Sequence, residues 1–264
     1  MDDATPGLRA VIFDVDGTIA DTERDGHRVA FNLAFEKLGM PDRWDVDSYG
    51  ELLAVPGGRA RLRQYLGGRG MGVNELDDVV PRLHELKNRF FVDLIRRGRI
   101  EARPGIVRLV DELQVSQITV GVATTGSRHW VEELLEVLLG AARVGRFGAV
   151  VTGEEASAHK PDPELHLTAL DRLSCRPEAV VAVEDSALGL RSAKAAGLAC
   201  LVVRNSYTAG QDFTDADLVV DELGEADHPA MVVADPHGLA VDGPVDLAVL
   251  RRLLAAGPGV PPST

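Results

Sequence analysis

The sequence predicts an α/β protein, and three observations support this. Short apolar runs of β-branched or small residues are nearly continuous, which is typical of strands buried on both faces of a parallel sheet. Amphipathic segments separate most of these runs, as right-handed crossovers require. About a hundred residues after the first run have no strand signal and are too helical for a loop. The expected architecture is a Rossmann-like parallel sheet core with an inserted α-helical cap domain.

The strands and crossover helices are predicted in chain order. Strands are expected at residues 9–13, 119–124, 149–152, 180–184, 199–203 and 218–220. Helices are expected at residues 106–113, 130–139, 163–173 and 187–196. Ser186 can cap the last of these helices and Gly197 can end it. Asp162 can cap a helix that opens with Pro163. In such a fold, ligands bind beyond the carboxyl ends of the strands.

The inserted segment is predicted to form a separate domain. Amphipathic helices are expected at residues 28–38 and 75–95, with shorter ones near 46–54 and 59–66. The predicted domains are a discontinuous core, residues 1–22 and 99–264, and a cap, residues 23–98. Hinges near residues 21–26 and 98–104 would let the cap close over the strand ends and exclude water. The tail from His228 onward is rich in Gly, Pro and Ala, with one helix expected at 245–255.

Composition and charge exclude several classes of protein. Hydrophobic residues make up 45% and charged residues 26%, as in soluble globular proteins. A net charge of −13 argues against nucleic acids and anionic membranes as partners. No apolar run reaches the roughly 18 residues of a membrane helix, and the start, MDDATPGLRA, lacks the features of a signal or transit peptide. Cys175 and Cys200 are expected to be reduced thiols, which predicts a cytoplasmic protein. The predicted partner is a small molecule, and the predicted oligomeric state is a monomer or alternatively a dimer.

The strongest motif follows the first predicted strand, where Asp14 and Asp16 flank Val15 and precede Gly17 and Thr18. Two carboxylates two residues apart at a strand end can reach the same space, and Gly17 permits a sharp turn. With a cation between them, one can attack phosphorus while the other carries a proton to the leaving oxygen. The alternative is a turn after a strand in which both aspartates only cap backbone groups.

Two further motifs follow the second and fourth predicted strands. Glu184 and Asp185 add carboxylates that suit Mg²⁺, which prefers oxygen ligands. The hydroxyl of Thr124 and the backbone N–H groups after it can bind an anion at a helix start, and the residues that complete this turn are Thr125, Gly126 and Ser127. Either motif alone could instead be an ordinary helix-capping turn.

A lysine supplies the fourth motif. Lys160 precedes Pro161 and Pro163, which hold a rigid approach to a helix. An ammonium presented there can neutralise phosphoryl oxygens and the surrounding carboxylates, although a solvated surface lysine is the alternative. Only four of the 28 basic residues are lysines, so a lysine in a pocket suggests a need for a compact charge. The four motifs in order predict a magnesium-dependent phosphohydrolase.

These motifs resemble those of the haloacid dehalogenase superfamily, in the branch with a helical cap after the first strand that includes β-phosphoglucomutase. The resemblance covers residues 8–225. It implies that Asp14 is the nucleophile and Asp16 the general acid and base. Thr124 and Lys160 would bind the transferring phosphoryl group. Asp14, the Asp16 carbonyl and Asp185 would hold Mg²⁺, with Glu184 as an accessory ligand.

Within that branch, several stretches are similar to the CbbY phosphatases. They are residues 21–28, 57–59, 183–186 and 205–208, followed by Asp212 and Phe213. CbbY enzymes accompany the Calvin cycle, and the similarity implies removal of the 1-phosphate of xylulose-1,5-bisphosphate to give xylulose 5-phosphate. The alternatives are a phosphosugar mutase of the β-phosphoglucomutase kind, a phosphatase for phosphoglycolate or another monophosphate, and a non-catalytic binding module.

A bisphosphate also needs cations for the phosphate that does not react. Guanidinium groups suit a stationary phosphate, and the glycines before Arg59 could present N–H groups to it. The cap offers Arg59, Arg61, Arg63 and Lys87 for this role, and the alternative is that these arginines coat an exposed helix. Asp21 and His27 could contact sugar hydroxyls or steer the proton on Asp16, or His27 could be a hinge residue. The remaining predicted substrate-binding residues are Gly57, Gly58, Arg59, Arg61 and Lys87.

Overall fold

The computed structural model describes residues 7–55 and 57–257. These residues form two compact units, and each is described by itself. The sheet unit contains the chain up to Asp21 and from Glu101 onward, and the helical unit is Thr22–Ile100. Most of the N-terminal segment considered above and the last seven residues of the tail lie outside the described residues.

The sheet unit is built around seven strands in the order β3-β2-β1-β4-β5-β6-β7. The first six strands pair in parallel, and β7 pairs antiparallel with β6. The inner strands are buried on both faces, which explains their unbroken apolar sequences. The predicted parallel α/β sheet is confirmed. The strands are β1 Ala10–Phe13, β2 Thr119–Ala123, β3 Ala149–Val151, β4 Val180–Glu184, β5 Ala199–Val203, β6 Leu218–Val220 and β7 Val232–Ala234.

Helices connect these strands, and their ends follow from local residue chemistry. Ser186 accepts a hydrogen bond from Gly189 N–H, and Gly197 takes the left-handed backbone with φ +78°, as predicted. The helix predicted to open at Pro163 begins one residue later, and Asp162 accepts from the N–H of Glu164. The helices are α5 Ile106–Val115, α6 Arg128–Leu139, α7 Ala141–Val144, α8 Glu164–Leu173, α9 Ala187–Ala195 and α10 Leu247–Ala256.

The helical unit packs around an aromatic core. Trp44 lies between Phe31 and Phe35, with both ring-centroid distances 4.9 Å, and Tyr49 is also fully buried. The segment predicted as the first hinge contains a π-helix, Thr22–His27. The α-helices are α1 Arg28–Lys37, α2 Val46–Leu52, α3 Gly58–Gly68 and α4 Val73–Arg96.

The tail adds one predicted and one unpredicted element to the sheet unit. The predicted helix at 245–255 is α10, capped by Asp246, which accepts from Val249 N–H. Strand β7 was missed because its three residues are exposed at a sheet edge and lack the buried apolar pattern. Within the described residues, no helix combines the length and apolar character that crossing a bilayer would require.

Candidate active site

Strand register brings the predicted motifs to one edge of the sheet. Phe13, the last residue of β1, is paired with Val122 of β2 and Val183 of β4. The residues that follow these three positions therefore leave the sheet side by side. Asp14 continues from the central strand, with its N–H donating to Val183 carbonyl at 2.9 Å. The carboxylates of β1 and β4 thus meet because of a strand pairing that no local sequence pattern encodes.

Lys160 bridges two of these carboxylates. Its Nζ donates to Asp14 Oδ1 at 2.6 Å and to Glu184 Oε1 at 2.7 Å. The three side chains are 6%, 8% and 1% exposed, respectively, so solvent screens the ion pairs very little. The Lys160–Pro161 peptide bond is cis. These two contacts and the burial of the side chain place Lys160 in the cluster and not on the solvated surface.

Three buried carboxylates form a compact cluster. Asp14, Glu184 and Asp185 each offer an oxygen, and these oxygens lie within 4.8 Å of one another. Burial raises the pKa of Asp14 to about 6, despite the opposing effect of Lys160. Burial and the charges of Asp14 and Glu184 raise the pKa of Asp185 well above its usual value. Although burial opposes ionisation of Glu184, Lys160 and His166 hold its pKa below the usual value.

The donor set fits a hard divalent cation. Glu184 Oε2 is buried and has no hydrogen-bond partner among the described residues. Two glycines leave room for the carboxylates. A Cβ on Gly17 would lie 2.1 Å from Asp185 Oδ2, and a Cβ on Gly189 would lie 1.8 Å from Glu184 Oε2. Crowded buried carboxylates repel one another, and carboxylate oxygens are the ligands that Mg²⁺ prefers. The cluster thus offers the oxygen ligands that a hard divalent cation requires.

The turn after β2 differs from its prediction in one respect. Thr124 is fully buried and accepts from Gly126 N–H at 3.0 Å, which leaves its hydroxyl hydrogen for another acceptor. The N–H of Arg128, which opens α6, donates to the Glu154 carboxylate. Thr125 is exposed and Ser127 is half-buried. The Gly126 amide, which was expected to face an anion, and the Arg128 amide after it are therefore already engaged within the protein.

The second aspartate of the first motif lies in a tight turn. Asp16 is half-buried, and Gly17 follows it with φ +86°, a left-handed backbone that favours glycine. The N–H of Gly17 donates to Ala20 carbonyl at 2.8 Å and closes the turn. Asp21 is also half-buried and is the last residue of this part of the sheet unit. This hydrogen-bonded turn fixes the backbone path directly after Asp16.

The predicted phosphate-binding residues of the helical unit differ in exposure. Arg61 is buried and donates to Tyr49 hydroxyl at 2.8 Å and to Leu52 carbonyl at 3.1 Å. The idea that Arg61 coats an exposed helix is therefore wrong, since its guanidinium packs inside the unit. Lys87 is buried as well, with its Nζ 5.4 Å from the Phe31 ring centroid. Gly58 is half-buried.

The other predicted residues of this unit lie partly at its surface. Gly57 and Arg59 are exposed. His27 is half-buried and stacks on Phe91 with ring centroids 3.9 Å apart. Burial, together with the charges of Lys87 and Arg61, lowers the pKa of His27 well below its usual value. His27 is thus a neutral ring packed within its own unit.

Sequence reasoning missed three side chains that contact the site. Asn205 Nδ2 donates to Asp185 Oδ2 at 2.7 Å. Arg103 donates to the carbonyl of Gly17. His166 is fully buried, with its Nε2 3.0 Å from Glu184 Oε1 and its Nδ1 2.9 Å from Ser192 hydroxyl. Asn205 stood in a stretch noted for its similarity, whereas Arg103 and His166 gave no sequence signal.

Comparison with known proteins agrees with this geometry. A model of the haloacid dehalogenase-like hydrolase family matches residues 11–203. Protein CbbY of Cupriavidus necator is 38% identical over 228 residues, which is 84% of this chain and 88% of that protein. CbbY from Rhodobacter sphaeroides, solved in complex with phosphate, is 39% identical with a TM-score of 0.71, covering 81% of this chain and 94% of that chain. A mutant of the same protein in complex with xylulose-(1,5)bisphosphate gives 38% identity, a TM-score of 0.70 and the same coverage.

A parallel α/β sheet with this cluster at its strand ends, together with these relatives, defines a phosphoric monoester hydrolase. The chain belongs to the haloacid dehalogenase-like hydrolase family, since the family model matches well over half of its length. The resemblance to CbbY noted from the sequence is confirmed.

Proposed function

We propose that this enzyme is a Mg²⁺-dependent sugar bisphosphate phosphatase that removes the 1-phosphate of xylulose-1,5-bisphosphate through an aspartyl-phosphate on Asp14. The observation that carries the proposal is the contact of Lys160 with Asp14 and Glu184, beside Asp185. It puts a carboxylate nucleophile, a fixed cation and further oxygen ligands within one small volume. A phosphoryl group there would meet a nucleophile and positive charge together.

In the first half of the reaction, an oxygen of Asp14 attacks phosphorus and the bond from phosphorus to the sugar oxygen breaks. Lys160 keeps Asp14 ionised and offsets negative charge on the phosphoryl oxygens. The Thr124 hydroxyl, whose oxygen already accepts from Gly126, is free to donate its hydrogen to one of those oxygens. Asp16 gives a proton to the departing sugar oxygen, so that the sugar leaves as a neutral alcohol.

In the second half, a water molecule attacks phosphorus and Asp16 takes its proton. The bond from phosphorus to Asp14 breaks, and the carboxylate and inorganic phosphate are released. Asp14, Asp185 and the Asp16 carbonyl would hold Mg²⁺, with Glu184 in support, and the bound ion would supply positive charge that neutralises carboxylates and phosphate. This role accounts for three buried carboxylates crowded together beside the ammonium of Lys160.

The relatives and the cations of the helical unit support the proposed substrate class. A solved CbbY with xylulose-(1,5)bisphosphate is 38% identical to this chain. In the helical unit, the exposed Arg59 guanidinium could bind the phosphate that does not react. Asp21, His27, Gly57, Gly58, Arg61 and Lys87, and the turn of Thr125, Gly126 and Ser127, remain proposed substrate-binding residues. A role beside the Calvin cycle, a cytoplasmic location and a monomeric state stay predictions.

The proposal is tested by phosphate release from a substrate panel with and without Mg²⁺. The panel contains xylulose-1,5-bisphosphate, ribulose-1,5-bisphosphate, β-glucose 1-phosphate and phosphoglycolate at matched concentrations. We expect Mg²⁺-dependent release of one phosphate, fastest from xylulose-1,5-bisphosphate, leaving xylulose 5-phosphate. An isomerised sugar phosphate without free phosphate would show a mutase instead. Preference for phosphoglycolate would remove the bisphosphate assignment.

Arg59→Ala tests the second phosphate separately. We expect this variant to raise KM for the bisphosphate by about tenfold or more, because a phosphate–guanidinium pair is lost. KM for a sugar monophosphate should change much less. Arg63→Ala is the matched control, because Arg63 lies one helical turn further along α3 and pairs with Asp77 at 2.5 Å. Equal losses for both substrates would rule out this role of Arg59.

A further inference from the structure

We infer that Asn205 is a positioning residue that fixes the carboxylate plane of Asp185 for the metal, an inference that rests on the function proposed above. Asn205 Nδ2 lies 2.7 Å from Asp185 Oδ2. In the part of the chain that the structure describes, no other side chain donates a hydrogen bond to Asp185. Asp185 itself is 6% exposed, so water cannot easily replace this donor.

The orientation of the Asn205 amide is set by its other contacts. Its Oδ1 accepts from Tyr207 N–H at 2.9 Å and from Thr208 N–H at 3.1 Å. Backbone N–H groups only donate, so the atom that faces them must be the carbonyl oxygen. The NH₂ group then necessarily points at Asp185. Asn205 therefore links a rigid turn to one oxygen of the carboxylate.

The same hydrogen bond packs against the nucleophile loop. A Cβ on Gly17 would lie 2.1 Å from Asp185 Oδ2 and 2.7 Å from Asn205 Nδ2. The loop that carries Asp14 and Asp16 thus rests directly on the Asn205–Asp185 pair. Any side chain at position 17 would separate the two groups.

Arg103 ties together the backbone on either side of this contact. It donates to Gly17 carbonyl, to Val203 carbonyl at 2.8 Å and to Arg204 carbonyl at 2.8 Å. Val203 and Arg204 immediately precede Asn205, so the start of its turn is bonded to the nucleophile loop. The turn that carries Asn205 is therefore bonded to the same loop that packs against Asp185 Oδ2.

Hydrogen bonds to metal-ligating carboxylates set ligand direction, and their loss commonly costs 10–100-fold in metal affinity. In the experiment, the full chain is titrated with Mn²⁺ as the probe, and binding is measured by calorimetry and by electron paramagnetic resonance. We expect Asn205→Ala to weaken Mn²⁺ binding by about 10–100-fold. The Mg²⁺ concentration for half-maximal turnover should rise by the same factor, with kcat at saturating Mg²⁺ changing far less.

Two variants separate positioning from folding. Asn205→Ser keeps a hydroxyl that can accept from the turn N–H groups but cannot reach Asp185, so it should lose affinity like Asn205→Ala. Thr208→Val removes the acceptor of Asn205 N–H, at 2.9 Å, and leaves the donor to Asp185 in place. It should bind Mn²⁺ within twofold of wild type even if its Tm falls.

The outcomes also separate this inference from the function on which it rests. If wild type binds Mn²⁺, Asp185→Asn does not, and both Asn205 variants bind within twofold of wild type, the positioning role is overturned and the phosphatase proposal stands. Equal weakening by Thr208→Val would assign the effect to the turn and would likewise overturn it. If wild type binds no Mn²⁺, or Asp185→Asn binds as wild type does, both proposals fall.

Discussion

Replacing Lys160 with methionine removes the cation from the carboxylate cluster at nearly constant volume. In wild type, the ammonium lies 2.6 Å from Asp14 Oδ1 and 2.7 Å from Glu184 Oε1. With methionine there, three carboxylates within 4.8 Å of one another would remain buried without this charge. The variant thus isolates the electrostatic contribution of one residue.

The magnitude follows from the burial of the groups. Removing one partner of a buried ion pair costs about 3–5 kcal/mol, because a charge is left uncompensated. For a domain of this size, that corresponds to a fall in Tm of roughly 6–20 °C. Proton uptake by the cluster limits the loss, since the lysine opposes the rise in the pKa of Asp14 and its removal would raise that pKa further above about 6. Turnover should fall by about 10²–10³ or more, as for loss of a fixed charge-stabilising donor.

The carboxylates also set the direction in which the stability of Lys160→Met changes with pH. A carboxyl group whose pKa is raised in the folded state binds protons more tightly there than in the unfolded chain. Its ionisation therefore destabilises the fold as pH rises through the folded pKa. The stability deficit of Lys160→Met should be largest near pH 8 and should shrink towards pH 5. The assay is thermal unfolding in EDTA across this range, repeated with Mg²⁺, which we expect to restore part of the loss.

Lys194→Met is the matched control. Lys194 pairs with the buried carboxylate of Asp217 at 2.7 Å, outside the cluster. This variant should also lose stability, but it should keep turnover and show no recovery specific to Mg²⁺. If Lys160→Met kept wild-type Tm and turnover in EDTA and in Mg²⁺, the assignment of Lys160 as the charge-balancing group would be wrong.

Three further predictions address the nucleophile, a glycine and a histidine. Asp14→Asn should abolish phosphate release while the circular dichroism spectrum stays that of wild type, and measurable turnover would refute the nucleophile assignment. Gly189 lies in helix α9, where replacing glycine with alanine usually stabilises the helix by about 1 kcal/mol. The Cβ of Gly189→Ala would lie 1.8 Å from Glu184 Oε2, so we expect a lower Tm and weaker activation by Mg²⁺. Gly67→Ala is the control: its Cβ would lie 3.6 Å from the nearest side chain, so this variant should not be destabilised. Burial and the charges of Lys87 and Arg59 lower the pKa of His84 to about 4. The neutral His84 ring therefore contributes stability above pH 6.5, and this contribution is lost as pH falls towards 4. An NMR titration midpoint of His84 at or above 6.5 would contradict this.

The sequence alone predicted six of the seven strands and the chemistry at the ends of the central ones. Buried parallel strands must be apolar throughout, so β1, β4 and β5 were visible as unbroken runs. Local chemistry also marked Asp14, Lys160 and Asp185, because their motifs consist of adjacent residues at strand ends or before a helix. Capping by Ser186 was readable for the same reason, since donor and acceptor are three residues apart.

Contacts between segments distant in sequence set which of these residues meet and what holds them. Lys160 and Asp14 are 146 residues apart in sequence, and Asn205 and Asp185 are 20 apart, so no local pattern encodes either contact. Arg61 and Lys87 have the sequence appearance of surface cations, yet packing buries both inside the helical unit. The edge strand β7 exists because β6 offers it an unpaired backbone, while its own residues are exposed. The sequence gives the chemical type of each side chain. The distances and burial that set the strength of their interactions arise from contacts between distant segments.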